Sequence, residues 1–387
     1  ATLEVQQYMN AFDPNAFSRR VNQSFGPLMR EVALRGEAAR QSAGHFSCPL
    51  EQREALEAAE RGREADTRRI GGLVQLGTPQ YGLSPRSARI FPRGGSHPGL
   101  LARPYRRILL ADCAELDMRH LYLALSPLVL GGLPLLSAAL ASGEPLWQHI
   151  AEQAGLGALW HGNAEARRAL KSVIKSDVVY PVTMGRKRNV ARAEANRRLR
   201  SLLISSGRER QWEQIRRSPG GLSPGRQICD AAIVAELLRA GDAFMRRAER
   251  AGYADSPLGG RIALHGYRGA ADHVLSPGDG PRTLLSLLYS LAEMHVLRSV
   301  VRYQHEVGPG VMRIMLAQHD GFSLFLPEAA RRCAGCRLLG LVDHVSSVLA
   351  ELGAHTSLSC AYVPDFYRKG YCRRCASGHA LESICEV

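Results

Sequence analysis

An aspartate at the tip of a hairpin is the first residue in this 387-residue chain placed to do chemistry. Two apolar runs, residues 311–317 and 322–326, flank Gln318-His319-Asp320-Gly321. Runs of that length around a few polar residues predict a tight β-hairpin with Asp320 held on the turn. Far upstream, Arg107-Ile-Leu-Leu-Ala-Asp112 reads as a second apolar strand ending in an aspartate. Two strand-borne aspartates meeting in one sheet make the oxygen-rich site that two-metal phosphoryl transfer needs. Asp117 and Arg119 follow, where the pattern predicts that the chain has turned into a helix.

A second constellation is basic. Arg167 and Lys171 are four apart in a helical pattern and so share a face, with Val178-Val-Tyr180 beyond them. The chain uses arginine almost everywhere. Its only lysines are Lys171, Lys175, Lys187 and Lys369, so two of the four sit in this helix. An ammonium can donate a proton as well as carry charge, which a guanidinium does poorly. Opposite paired aspartates, this face could grip a triphosphate.

The elements that must position these groups follow from pattern. Residues 1 to about 70 read as charged helices, and 51–69 are almost all strong helix formers. Residues 71–99, rich in Gly, Pro and Ser, read as strand and loop, and 105–112 as the first strand. Helical patterns run to about 217. Ser218-Pro-Gly-Gly-Leu-Ser-Pro-Gly225 breaks them, and helix resumes over 228–250. A short strand at 259–264, a long apolar helix at 283–304, the hairpin, a helix to about 352 and a strand at 357–363 complete the order. That order suits an α+β sheet carrying a helical insertion.

The formal net charge of +14 favours a polyanionic partner, nucleic acid ahead of an anionic membrane surface. No uninterrupted apolar stretch approaches the ~20 residues of a membrane span, and the start does not read as a signal peptide. Nine scattered cysteines do not resemble a secreted disulfide framework, which predicts a reducing cytoplasm. Cys333-x2-Cys336 and Cys372-x2-Cys375 are zinc-ribbon-like pairs, so structural zinc and plain thiols both stay open.

In this order the motifs resemble the polymerase module of the DNA polymerase I family (family A), over roughly residues 75–365. Asp112-Cys-Ala-Glu-Leu-Asp-Met-Arg119 is similar to that family's first motif, Asp-Tyr-Ser-Gln-Ile-Glu-Leu-Arg. Arg167 and Lys171, with Tyr180, resemble the fingers-helix motif, and His319-Asp320 the His-Asp-Glu motif. Ser87-Ala-Arg89, Pro257-Leu-Gly-Gly-Arg261 and Ser276-Pro-Gly-Asp-Gly280 resemble further family segments. Three departures stand out. Gly321 replaces the glutamate. Tyr180 lies one residue beyond strict spacing from Lys171, leaving a rival register on Lys171 and Lys175. Asp279 stands where glutamine would be.

The resemblance implies an α+β right-hand polymerase with an antiparallel-sheet palm, a helical fingers insertion and a reduced thumb of two short helices. The implied parts are the reduced thumb at 1–70, palm at 71–125 and 256–365, fingers at 126–255 and a Cys-rich tail at 366–387. It implies a DNA polymerase that extends a primer with dNTPs, in replication or repair, in a bacterial or phage-infected cell. Asp112 and Asp320 would hold two Mg²⁺ ions. Arg167 and Lys171 would clamp the triphosphate, with Lys171 as general acid. Tyr180 and Asp117 would border the sugar. Arg89, Arg119, Arg261 and His319 would contact primer-template. A reduced thumb implies distributive synthesis unless a processivity or replisome protein acts as clamp, and the chain leaves no room for a proofreading domain. The alternatives are a single-subunit RNA polymerase or primase-like enzyme, and a catalytically decayed nucleic-acid-binding module.

Overall fold

Two long helices stand in the N-terminal region where short ones were expected. In a computed structural model, residues 2–364 are described, except 12–13, 76–79, 84–88, 94–96, 119, 217–221, 265–279, 309, 318–320, 332–333, 355, 357 and 363. Thr2–Asn10 (α1) precedes Pro14–Ala43 (α2) and Pro49–Val74 (α3), which pack as a helical hairpin. At 1.5 Å per residue, their 30 and 26 residues span about 45 and 39 Å. Pro27 lies inside α2, between buried Val21 and Leu28. Packing of that face offsets the helical bond that proline removes. The expectation of distributive synthesis rested on short helices here, and that premise is gone.

The next segment corrects the predicted strand. After the antiparallel pair Tyr81–Leu83 (β1) and Ile90–Pro92 (β2), residues Arg103–Leu109 form a helix (α4), and the strand is Cys113–Met118 (β3). Pro104 sits in the first turn of α4, where its missing N–H costs nothing. Tyr105 and Leu109, one turn apart, are buried, and α4 packs on α2. In β3, Ala114, Leu116 and Met118 are buried while Glu115 and Asp117 alternate with them on the more open face.

A helical block follows: Leu121–Leu130 (α5), Pro134–Ala141 (α6), Leu146–Gln153 (α7), Gly157–Gly162 (α8) and Ala164–Ser172 (α9). A π-helical turn, Val173–Val179, leads into Tyr180–Thr183 (α10). Arg188–Ser205 (α11), Glu209–Arg216 (α12), Pro224–Asp230 (α13) and Ala232–Ala251 (α14) complete the block. Its far side meets the tip of the α2–α3 hairpin. Arg200 donates to both Glu51 oxygens at 2.8 and 3.4 Å, and His45 Nδ1 lies 2.8 Å from the Ser205 carbonyl oxygen.

Tyr253–Asp255 (β4) pairs with Arg261–Ala263 (β5). Pro281–Val307 (α15) then crosses the core, burying Leu284, Leu288, Val296 and Val301. Among the described residues, α15 is long and apolar enough to cross a membrane, but most of it is buried inside the protein. Arg313–Ala317 (β6) and Gly321–Phe325 (β7) form the expected hairpin. Glu328–Arg331 (α16), Ala334–Glu351 (α17) and Leu358–Tyr362 (β8) end the described chain. The central sheet is antiparallel, in the order β6-β7-β3-β8.

Candidate active site

The site is set by the register between β3 and β7. Asp117 lies opposite Gly321, and Cys113, at the other end of β3, opposite Phe325. Asp320 lies outside the described residues, yet it precedes Gly321 in the chain. The carboxylate of β3 nearest the hairpin turn is therefore that of Asp117. Asp112 comes before the strand begins, about 16 Å along the chain from Asp117 at ~3.3 Å per residue. There it forms a two-pronged ion pair with Arg20 of α2, one prong at 2.7 Å. The Arg20 guanidinium also lies over Phe325, 5.2 Å from the ring centre. Expected to meet the hairpin aspartate, Asp112 instead precedes β3 and pairs with Arg20. It lies at the end of the hairpin away from the turn, and the five-residue offset came from placing the strand one element too early.

Gly321 itself is explained by this register. A Cβ there would lie 2.3 Å from the Leu116 carbonyl oxygen and 3.2 Å from the Asp117 Cα. The two strands approach too closely for any side chain. The glutamate that follows the aspartate in the family motif has no room here while β3 and β7 keep their spacing.

Beyond Asp117 the chain turns sharply into α5. His120 takes a left-handed conformation at φ 52°, the only described non-glycine residue with positive φ. Such a backbone is strained for most side chains. The His120 ring packs edge-on to Trp147, centroids 4.9 Å apart. The turn brings Tyr122 onto a buried acid of α15. Glu293, 2% exposed, accepts from the Tyr122 hydroxyl at 2.6 Å and from Arg89 Nε at 2.5 Å. The Arg89 guanidinium also lies over the Tyr122 ring. Ser126 and Tyr289 extend the network through a 2.8 Å hydrogen bond, and burial pushes the Tyr289 phenol pKa up. Buried charge demands a partner, and Arg89 meets that demand. Its predicted contact with primer-template must share the guanidinium with Glu293.

The insertion approaches this network from the other side. Arg167 and Lys171 lie on α9, both exposed, four residues apart on one face. A π turn, Val173–Val179, follows α9. A π turn widens the helix by one residue. Tyr180, one residue late by strict α-helical count, comes directly after that turn. Its ring lies edge-on to Trp147 and Tyr122, at 6.0 and 6.4 Å, with Lys175 Nζ 5.5 Å from its centroid. Tyr122 and Tyr180 thus join the insertion to the sheet side, close to the corner that carries Asp117.

Arg261 is exposed on β5, ion-paired with Asp255 at 3.4 Å and stacked over Tyr253. Arg119, His319 and Asp279 lie outside the described residues, as do Cys333, Cys372 and Cys375, while Cys336 is half-buried on α17. Among the described residues no three His, Cys, Asp or Glu side chains cluster as metal ligands. Sequence reasoning passed over Glu293, Tyr122 and Arg20. Glu293 carried a readable signal, being a lone acid in the apolar run of α15.

No family model matches the chain, and no curated protein matches it. Among solved structures it is similar to the polymerase domain of Pol1 from M. smegmatis, in complex with DNA primer-template and dNTP. The TM-score is 0.50 at 14% identity, and the match covers 94% of this chain and 70% of that one. The likeness shows a polymerase-like fold.

Proposed function

We infer that this chain is a DNA polymerase that extends a primer with dNTPs by nucleotidyl transfer. The observation that carries the reading is the β3–β7 register, which sets Asp117 opposite the residue after Asp320 in a polymerase-like fold. Asp117 and Asp320 offer hard carboxylate oxygens, the donor type that Mg²⁺ prefers, and these two would hold the metal. Bound there, divalent ions supply activation of the primer 3′-hydroxyl and charge stabilisation for the leaving pyrophosphate.

The chain's other residues bind and orient. Arg167 and Lys171 present two cations on one helix face to the triphosphate, and Lys171 delivers a proton to the departing pyrophosphate. Tyr180 and Tyr122 border the sugar and favour deoxynucleotides. Arg89, held by Glu293, and Arg261 would contact primer-template, and Arg119 and His319, outside the described residues, are assigned the same role. The basic surface supplies non-specific affinity for duplex, which falls with added salt.

Primer extension by the purified chain, with dNTPs and then rNTPs, tests this. The reading expects Mg²⁺-dependent extension with dNTPs that Asp117→Asn abolishes while primer-template binding persists. No extension under any nucleotide, with binding intact, would refute it in favour of a binding module. Extension by rNTPs alone would move it to RNA synthesis.

A further inference from the structure

The hairpin that carries Asp320 has an edge problem. Among the described residues β6 is the outermost strand of its sheet, so no described strand bonds one side of its backbone. Unpaired edge groups invite slippage and non-native pairing. Two tyrosine hydroxyls stand in for the missing strand. Near the start of β6, the Ile314 N–H donates to the Tyr8 hydroxyl at 3.2 Å and to Gln304 Oε1 at 3.1 Å. At its end, the Ala317 N–H donates to the Tyr81 hydroxyl at 3.2 Å, and the same hydroxyl donates back to the Ala317 carbonyl at 3.3 Å. Ala317 is the last residue before Gln318-His319-Asp320.

Tyr81 is itself held on every side. Its N–H donates to Asn10 Oδ1 at 2.7 Å, and its carbonyl accepts from Asn10 Nδ2 at 3.1 Å and Gln6 Nε2 at 2.9 Å. Its ring is buried, with the His97 ring edge-on at 4.6 Å. Tyr8, Gln6 and Asn10 all belong to α1, and Glu4 ties that helix to Arg298 and Arg302 of α15. A continuous path of hydrogen bonds therefore runs from α1 through Tyr81 to the root of the turn.

We propose that Tyr81 is a positioning residue for the Asp320 turn, acting through its hydroxyl on both polar groups of Ala317, with α1 as the strut that holds it. The inference rests on the polymerase reading for its kinetic consequence but not for its mechanical one. The test variant is Tyr81→Phe, which keeps the ring and removes the hydroxyl.

Two readouts decide it. Hydrogen exchange over residues 313–325 should quicken at least several-fold in Tyr81→Phe, with exchange in α15 unchanged, because local opening is set by local hydrogen bonds. Single-turnover dNTP incorporation should slow by about tenfold or more and need higher Mg²⁺, with primer-template affinity held, since small misplacements of catalytic groups cost up to ~100-fold. Tyr8→Phe, acting three residues further from the turn, should lose stability but keep incorporation within about twofold of wild type. If Tyr81→Phe fails to fold, Asn10→Ala loosens the same backbone without touching the buried ring and is read the same way. Wild-type exchange over 313–325 in the variant overturns the proposal, as does unchanged Mg²⁺ dependence in an active enzyme. Failure of Asp117→Asn to affect incorporation would instead strike the polymerase reading, and exchange would still decide the role of Tyr81.

Discussion

Replacing Gly321 by alanine should do damage far beyond one methyl group. The added Cβ would lie 2.3 Å from the Leu116 carbonyl oxygen and 3.3 Å from its carbonyl carbon. Carbon–oxygen contacts between strands settle near 3.3–3.6 Å, so β7 must retreat from β3 by about 1 Å at this pair. Overpacking of that size costs about 1–3 kcal/mol. Weakened ladder bonds at the end of the strand pair add about 1 kcal/mol. The same shift moves the Asp320 turn relative to Asp117, and a displacement of ~1 Å near reacting groups costs on the order of 100-fold in rate. Urea unfolding and single-turnover primer extension read the two effects separately. Gly321→Glu supplies the acid of the His-Asp-Glu motif that this turn resembles but should be worse still, because the obstacle is the backbone and not the chemistry. Wild-type stability in Gly321→Ala, or faster extension in Gly321→Glu, would refute the register on which the site is built.

Two further expectations concern the groups around the site. Glu293→Ala removes the acid from a buried network that Arg89 and Tyr122 complete, and should cost about 3 kcal/mol in urea unfolding, with Glu293→Gln milder. His97 is buried, and desolvation lowers its pKa from 6.5 to about 4. Below pH 6.5 the unfolded chain takes up a proton that the folded chain refuses, so stability is full above that pH and falls toward pH 4. At pH 5 the loss relative to pH 8 is about 2 kcal/mol, and His97→Gln should remove that part of the slope in unfolding measured across the range.

The parts of the fold legible in the sequence were those with an unambiguous period. The hairpin showed itself as two apolar runs around a polar tip, and α9 as a basic i, i+4 pair. The strand of the first motif was misplaced because Ile108-Leu109-Leu110 is too short a run to separate a helix turn from a strand. The better signals were Pro104, which starts a helix, and the strict alternation of Ala114, Leu116 and Met118 with Glu115 and Asp117. Misplacing the strand also misplaced the acid, since Asp112 and Asp117 differ in position along β3 and in their partners. The π turn before Tyr180 had no reliable signature, because an extra residue in a helix looks like a lost period. Gly321 read as a departure from a motif, and only the 2.3 Å approach to Leu116 gives it a cause. The links of Tyr81 and Arg20 join residues 236 and 92 apart in sequence, a separation that no local pattern encodes.

The acid of β3 facing the hairpin turn is Asp117, and Asp112 pairs with Arg20. Single-turnover primer extension by Asp117→Asn and Asp112→Asn, side by side at saturating Mg²⁺, tests it directly. Asp117→Asn should lose on the order of 1,000-fold or more, as when a group required by the transition state is removed. Asp112→Asn should stay within a few-fold of wild type and lose about 1 kcal/mol of stability with its half-exposed ion pair. The reverse pattern, an inactive Asp112→Asn beside an active Asp117→Asn, would contradict the account.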